Sequence, residues 1–163
     1  DFAAGFGAAA HLAIEARLKN EPFALPPRLL SMPEFDGEES RQDAALNALE
    51  TAADSFLSSP LGKRAASANW LESELPFRML QSDGKNANNG QLVNGIIDLV
   101  FADDAGIVIV DFKSDRIEEP EVHAPQLWLY RRAALELWQP NGGGSCRVFL
   151  YYLRTGHTAE LAA

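Results

Sequence analysis

The sequence predicts an α/β fold in which helices pack on a mixed sheet that contains an antiparallel three-stranded meander. Three observations carry this. Residues 91–113 read as a hairpin of apolar, β-branched strands around an acidic turn. Stretches with helical spacing lie on both sides of that hairpin. A second β-rich run, residues 146–153, follows the later helical stretch.

Each element has its own justification. Residues 5–19 are rich in alanine and predict a helix. Residues 20–37 carry four prolines and predict a loop. Residues 38–57 place Ala45, Leu49, Ala52, Ala53 and Phe56 at helical spacing. Ser59-Pro60 ends that helix and opens a short one through Ala66. Residues 69–81 predict a strand, with Pro76 marking an edge or a bulge. The polar turn 82–90 then pairs this strand with the next. Residues 116–122 form a polar connection with three glutamates. Residues 124–138 predict a helix with Pro125 in its first turn. The glycine-rich turn 141–144 leads into 146–153, read as the final strand.

The hairpin places chemistry on the sheet. Its turn signal is Asp103-Asp104-Ala105-Gly106. If these residues form the loop, Ala102 faces Ile107 and, counting outward, Asp98 faces Asp111. Like charges so placed repel, and a divalent cation between them removes the objection, because hard cations take carboxylate oxygens as ligands. Asp111 and Lys113 are two apart and share a face, while Phe112 points into the core. The Phe112 carbonyl is a further candidate ligand. Lys113 can orient an attacking water, take its proton or stabilise charge on a phosphate. These residue types suit metal-assisted phosphodiester hydrolysis; the bland alternative is a hairpin with polar ends.

Composition sets the bounds. The chain has 163 residues, is 47% hydrophobic and supports one domain with its own core. It begins with Asp, and we expect a single domain, residues 1–163, that is part of a longer polypeptide. No apolar run is long enough to span a membrane, and no secretory signal is seen. The one cysteine, Cys146, excludes an internal disulfide or a four-cysteine cluster and suits a cytoplasmic setting. The net charge of −9 weighs against a nucleic-acid partner. Residues 21–60 hold eight acids against two arginines, so much of the excess sits in one segment. No basic stripe is visible, so affinity for DNA is expected to be weak in this stretch and strand delivery to come from other domains.

Other side chains have two readings each. His11 is a core or surface histidine, or a metal ligand. Gln126 and Tyr130 share a helical face, which meets either solvent or the metal site. Glu72 and Glu74 are solvated, or one touches the metal or its water shell. Arg131 and Arg132 face solvent or steer a phosphate backbone.

Together these residues resemble a family. Gly7 to His11 matches Gly-x-x-x-His, and Glu74-Leu-Pro-Phe77 matches Glu-x-Pro-Phe. Gly95-Ile-Ile-Asp98 matches Gly-x-Ile-Asp, Asp111-Phe-Lys113 matches Asp-Tyr-Lys, and Gln126 to Tyr130 matches Gln-x-x-x-Tyr. The chain thus resembles the PD-(D/E)XK nucleases, most closely the C-terminal nuclease domains of RecB/AddA-type helicase–nucleases. The resemblance implies a restriction-endonuclease-like core and a magnesium site, with manganese as the alternative. His11, Asp98, Asp111 and the Phe112 carbonyl would hold the metal, with Glu74 a further ligand. Lys113 would be catalytic, with Gln126 and Tyr130 supporting the substrate or the lysine. It implies exonuclease processing of DNA ends for recombinational repair, helicase domains in the parent chain, and a partner subunit. Residues 20–68 depart from the pattern as a long acidic insertion. A nuclease-like module that binds without cutting, and a phage or mobile-element nuclease, are the alternative readings.

Overall fold

The computed structural model describes residues 2–30, 39–81, 90–138 and 144–162. In chain order it contains α1 (Phe2–Leu18), α2 (Pro27–Leu30), α3 (Glu39–Ser58), α4 (Pro60–Ala66), β1 (Trp70–Gln81) and β2 (Gln91–Asp103). There follow β3 (Gly106–Lys113), α5 (Pro120–Trp138), β4 (Cys146–Tyr152) and β5 (Thr158–Glu160).

The five strands form one mixed sheet in the order β1-β2-β3-β4-β5. β1, β2 and β3 are the antiparallel meander, β4 runs parallel to β3, and β5 returns antiparallel to β4. A parallel pair needs a crossover, and α5 supplies it. Six of the seven β4 residues are buried, as a strand covered on both faces requires.

The sheet separates two apolar layers. On one face Leu99, Phe101, Val108, Val110, Phe112 and Tyr151 pack with residues of α1, α3 and α4. On the other, Ile107, Ile109, Val148 and Leu150 pack with Leu127, Tyr130, Ala133 and Ala134 of α5. Phe56 of α3 sits fully buried, edge-on to Phe112 and to Tyr151 with ring centroids 4.9 Å apart in each case. Removing such a ring costs about 3–5 kcal/mol. The 20–68 segment is integral to this packing: it contributes Leu29, Leu49, Ala53, Phe56, Leu61 and Ala65 to the core.

The expected hairpin register is present, with a tighter turn. Ala102 pairs with Ile107, and Asp103 also pairs with Gly106, so only Asp104 and Ala105 form the loop. Gly106 adopts φ +123°, a conformation that favours glycine. The Ala105 N–H donates to the Asp103 side chain at 3.0 Å and closes the turn.

Three sequence expectations need correction. The last helix starts at Pro120, so Pro120 and not Pro125 occupies its first turn, and Pro125 lies inside the helix. Residues 116–122 are therefore partly helical. The run 146–153 is not the final strand: β4 ends at Tyr152 and β5 follows after a turn, its three residues too few to show an alternation. Pro76 lies in the edge strand β1, paired with Ile96. The turn residues 82–89 and 141–143 lie outside the described residues.

Candidate metal and catalytic site

The site lies where the meander ends against α1 and α5. The β2–β3 ladder runs to Leu99 and Val110, and the next position along holds Asp98 and Asp111. There the Asp98 side chain takes over from the ladder: its Oδ2 accepts the Phe112 N–H at 2.8 Å. β1 reaches the same row. Ser73 pairs with Leu99 and Leu75 with Ile97, so Glu74 stands opposite Asp98. Glu74 is held at φ +50°.

His11 comes from the opposite layer. Its Nδ1 lies 3.2 Å from Glu74 Oε1 and its Nε2 3.6 Å from Asp98 Oδ2. The ring rests against Phe112, centroids 5.2 Å apart. α1 approaches this closely because Gly7 has no side chain: a Cβ there would stand 3.2 Å from Ser114 Oγ. Ligand atoms of His11, Glu74 and Asp98 all lie within 4.8 Å of one another. Glu74, the most weakly supported residue in the sequence, is thus beside His11 and Asp98.

Asp111 belongs to an adjoining group. Its carboxylate is 2% exposed, and Oδ2 lies 2.7 Å from Lys113 Nζ. That contact is an ion pair without directed hydrogen-bond geometry, and Oδ2 has no other partner. Lys113 Nζ also donates to Gln126 Oε1 at 3.4 Å, and Gln126 Nε2 donates to the Tyr130 hydroxyl at 2.6 Å. Gln126 therefore reaches the lysine although it is exposed, and Tyr130 is buried behind it. Tyr130 packs edge-on to Phe77, centroids 5.7 Å apart. Gly95 sits opposite Phe77 in the ladder and leaves room for its ring.

Electrostatics mark the same place. Burial pushes the Asp98 carboxyl up to about 6, with the charges of Asp111 and Glu74 adding to it and His11 and the Phe112 N–H opposing. Burial alone would lower the His11 imidazole; the Glu74 hydrogen bond and the charges of Asp98, Glu74 and Asp111 outweigh it and raise the pKa. Burial pushes Tyr130 up to about 12, which keeps it a neutral phenol. The donor set of imidazole and carboxylates, with a buried Asp111 oxygen lacking a directed partner, fits a divalent cation.

His11, Glu74, Asp98, Phe112 and Lys113 line a cleft of about 530 Å³ together with Arg28, Ser114, Asp115 and His123. His123 Nε2 lies 3.3 Å from Asp115 Oδ2. Sequence reasoning passed over this pair, although His123 precedes Gln126 by three and Tyr130 by seven, the spacing of one helical face. Arg131 stacks over Trp128 at 5.2 Å and Arg132 pairs with Glu136 at 2.7 Å, so both are engaged along their own helix.

The β4–β5 turn secures the segment that leaves β3. The Leu153 N–H donates to the Lys113 carbonyl and Arg154 Nε to the Ser114 carbonyl, both at 2.8 Å. Thr155 Oγ1 and His157 Nδ1 each contact the Glu118 carboxylate at 2.5 Å. His157, which no motif or spacing singles out, thus serves in holding this connection.

A family model described as the PD-(D/E)XK nuclease superfamily matches residues 1–162. An ATP-dependent helicase/nuclease subunit of Anoxybacillus flavithermus is 36% identical over 93 residues, covering 52% of this chain and 7% of that protein. Its counterpart in Syntrophomonas wolfei is 39% identical over 89 residues, covering 48% of this chain and 7% of that protein. The chain thus matches only a small part of these relatives. Among solved structures, protein VC1899 from Vibrio cholerae aligns with a TM-score of 0.37 and 12% identity over 96% of this chain and 43% of that one.

Proposed function

We infer, because the chain belongs to the PD-(D/E)XK nuclease superfamily, that it hydrolyses DNA phosphodiester bonds with a divalent cation, as an exonuclease acting at DNA ends. The observation that carries this reading is the line of carboxylates Glu74, Asp98 and Asp111 across three strands, with His11 on one side and Lys113 on the other. A sheet gains nothing from such a row by itself, since like charges in neighbouring strands destabilise it.

His11, Asp98 and Glu74, with Asp111 and the Phe112 carbonyl, would hold magnesium, or manganese in its place. A cation bound there acidifies water and neutralises charge on phosphate oxygens. Lys113, fixed between Asp111 and Gln126, orients the attacking water and offsets charge on the phosphate. Tyr130 holds Gln126, and so sets the position of the lysine. Asp98 stays tied to the Phe112 N–H, which keeps its second oxygen available.

The match to helicase/nuclease subunits supports work within a larger chain whose motor delivers the strand, in end processing for recombinational repair. The acidic net charge of −9 favours that arrangement, since little in this stretch attracts DNA on its own. The test is digestion of end-labelled linear and circular single-stranded DNA with magnesium, manganese or EDTA, beside Asp111→Ala. Metal-dependent loss of the linear substrate by the wild type alone is expected. Cleavage by Asp111→Ala at the wild-type rate would sink the assignment, and loss of the circle would make the enzyme an endonuclease.

A further inference from the structure

We propose that His123, oriented by Asp115, is the general acid that protonates the oxygen leaving the cleaved phosphodiester. The inference rests on the nuclease reading above and adds a catalytic residue to it.

Two contacts join the end of β3 to the face of α5. Lys113 meets Gln126, and two residues further along Asp115 meets His123. His123 lies three residues before Gln126, so roughly 4.5 Å along the helix axis from it. Lys113 of the first pair and both members of the second line the cleft that holds His11, Glu74 and Asp98. In an in-line displacement the attacking and leaving oxygens stand on opposite sides of phosphorus. With Lys113 serving the attacking water, the neighbouring pair is placed for the departing oxygen.

The chemistry of the pair supports proton transfer over phosphate anchoring. An acidic partner 3.3 Å from the ring weakens its attraction to a phosphate, so the pair is poorly suited to anchoring one. The carboxylate fixes the ring, and an imidazole so held can pass a proton to a leaving oxygen. Asp115 engages Nε2, which leaves Nδ1 as the nitrogen outside that contact. The charged groups facing the same cleft are Lys113 of β3, Arg28 of α2, Glu74 of β1, Asp98 of β2 and His11 of α1.

The step balances. The water oxygen forms the new bond to phosphorus while the bond to the leaving oxygen breaks, and its electron pair stays with that oxygen. The leaving oxygen takes the proton of the His123 imidazolium and departs as an alcohol. The water's proton passes to solvent, and solvent returns a proton to the imidazole.

The test compares His123→Gln and Asp115→Asn with the wild type on two single-stranded DNA substrates in magnesium. One has an ordinary phosphodiester; the other carries a bridging sulfur at the leaving position, made in both 3′ and 5′ versions. A thiolate leaves without protonation. His123→Gln is expected to cut the oxygen substrate about 100-fold or more slowly, and to cut the sulfur substrate within a few-fold of wild type. Asp115→Asn should show the same pattern more weakly. Near-normal cleavage of the sulfur substrate also shows that the variant is folded. Equal slowing on both substrates, or no slowing on either, overturns the inference and leaves the nuclease reading intact. A wild type inert towards both substrates overturns the two together.

Discussion

Glu74 stands directly opposite Asp98 across the β1–β2 ladder, and it does so at φ +50°. A side-chain-bearing residue in this region costs about 1–2 kcal/mol. The same turn of backbone brings its carboxylate to His11. Glu74→Gly is therefore expected to melt in EDTA no lower than the wild type, while binding divalent cations more weakly by about tenfold or more. Calorimetry for the melt and metal titration for the affinity check both halves. A clear loss of stability in EDTA would show that the conformation carries no strain.

Protonation of the metal-free site should set a pH trend. The folded chain holds the Asp98 proton up to about 6, against 3.8 for an ordinary aspartate, so folding takes up a proton in that window. Stability is lost as pH rises across it. The His11 imidazole, also raised, contributes stability that is present below 6.5 and lost as pH climbs through its folded value. Both trends have one sign: melting in EDTA should fall as pH rises from 3.8 to about 6 and on through the folded value of His11. Asp98→Asn should flatten the slope, and added magnesium should raise the melting point more at the higher pH. A wild-type slope unchanged in Asp98→Asn would count against this account.

Packing beneath the lysine is equally testable. A Cβ on Gly95 would come 2.7 Å from the Phe77 ring and 3.5 Å from that of Tyr130. Gly95→Ala is expected to cost about 1–3 kcal/mol in chemical denaturation, as overpacking does. The smaller side chain in Gly95→Ala/Phe77→Leu should recover part of that loss. Failure of the double variant to recover would place the cost in the backbone.

Sequence reasoning reached much of this arrangement because its signals were periodic. Alternating β-branched residues on both sides of an acidic turn fixed the facing of Asp98 and Asp111. Moving two residues from loop to ladder left that register unchanged. The start of α5 was misplaced because two prolines competed for its first turn, and Pro120 holds it. The φ of Glu74 left no trace in residue type, since glycine or asparagine would have been the usual sign. The Asp115–His123 pair joins a coil to a helix, and no strand or helix period spans that gap.

Loosening the connector should separate affinity from turnover. Arg154 Nε holds the Ser114 carbonyl at 2.8 Å, one residue past Lys113. Arg154→Ala is expected to lower kcat several-fold with a smaller loss of metal affinity, because His11, Glu74 and Asp98 are borne on other segments and only Asp111 and Phe112 precede the held carbonyl on β3. Steady-state kinetics with metal titration reads the split. A parallel loss of metal binding would mean that the turn supports the whole cleft.

The turn from Leu153 to His157 also bears on when the enzyme can exist. It grips Lys113, Ser114 and Glu118, about forty residues earlier in the chain. A ribosome therefore makes the acids and the lysine well before it makes the residues that lock them in place. A nascent chain ending within α5 would carry these acids and the lysine without their brace. Synthesis order thus withholds a finished cleft until β4 and the turn after it have emerged and docked.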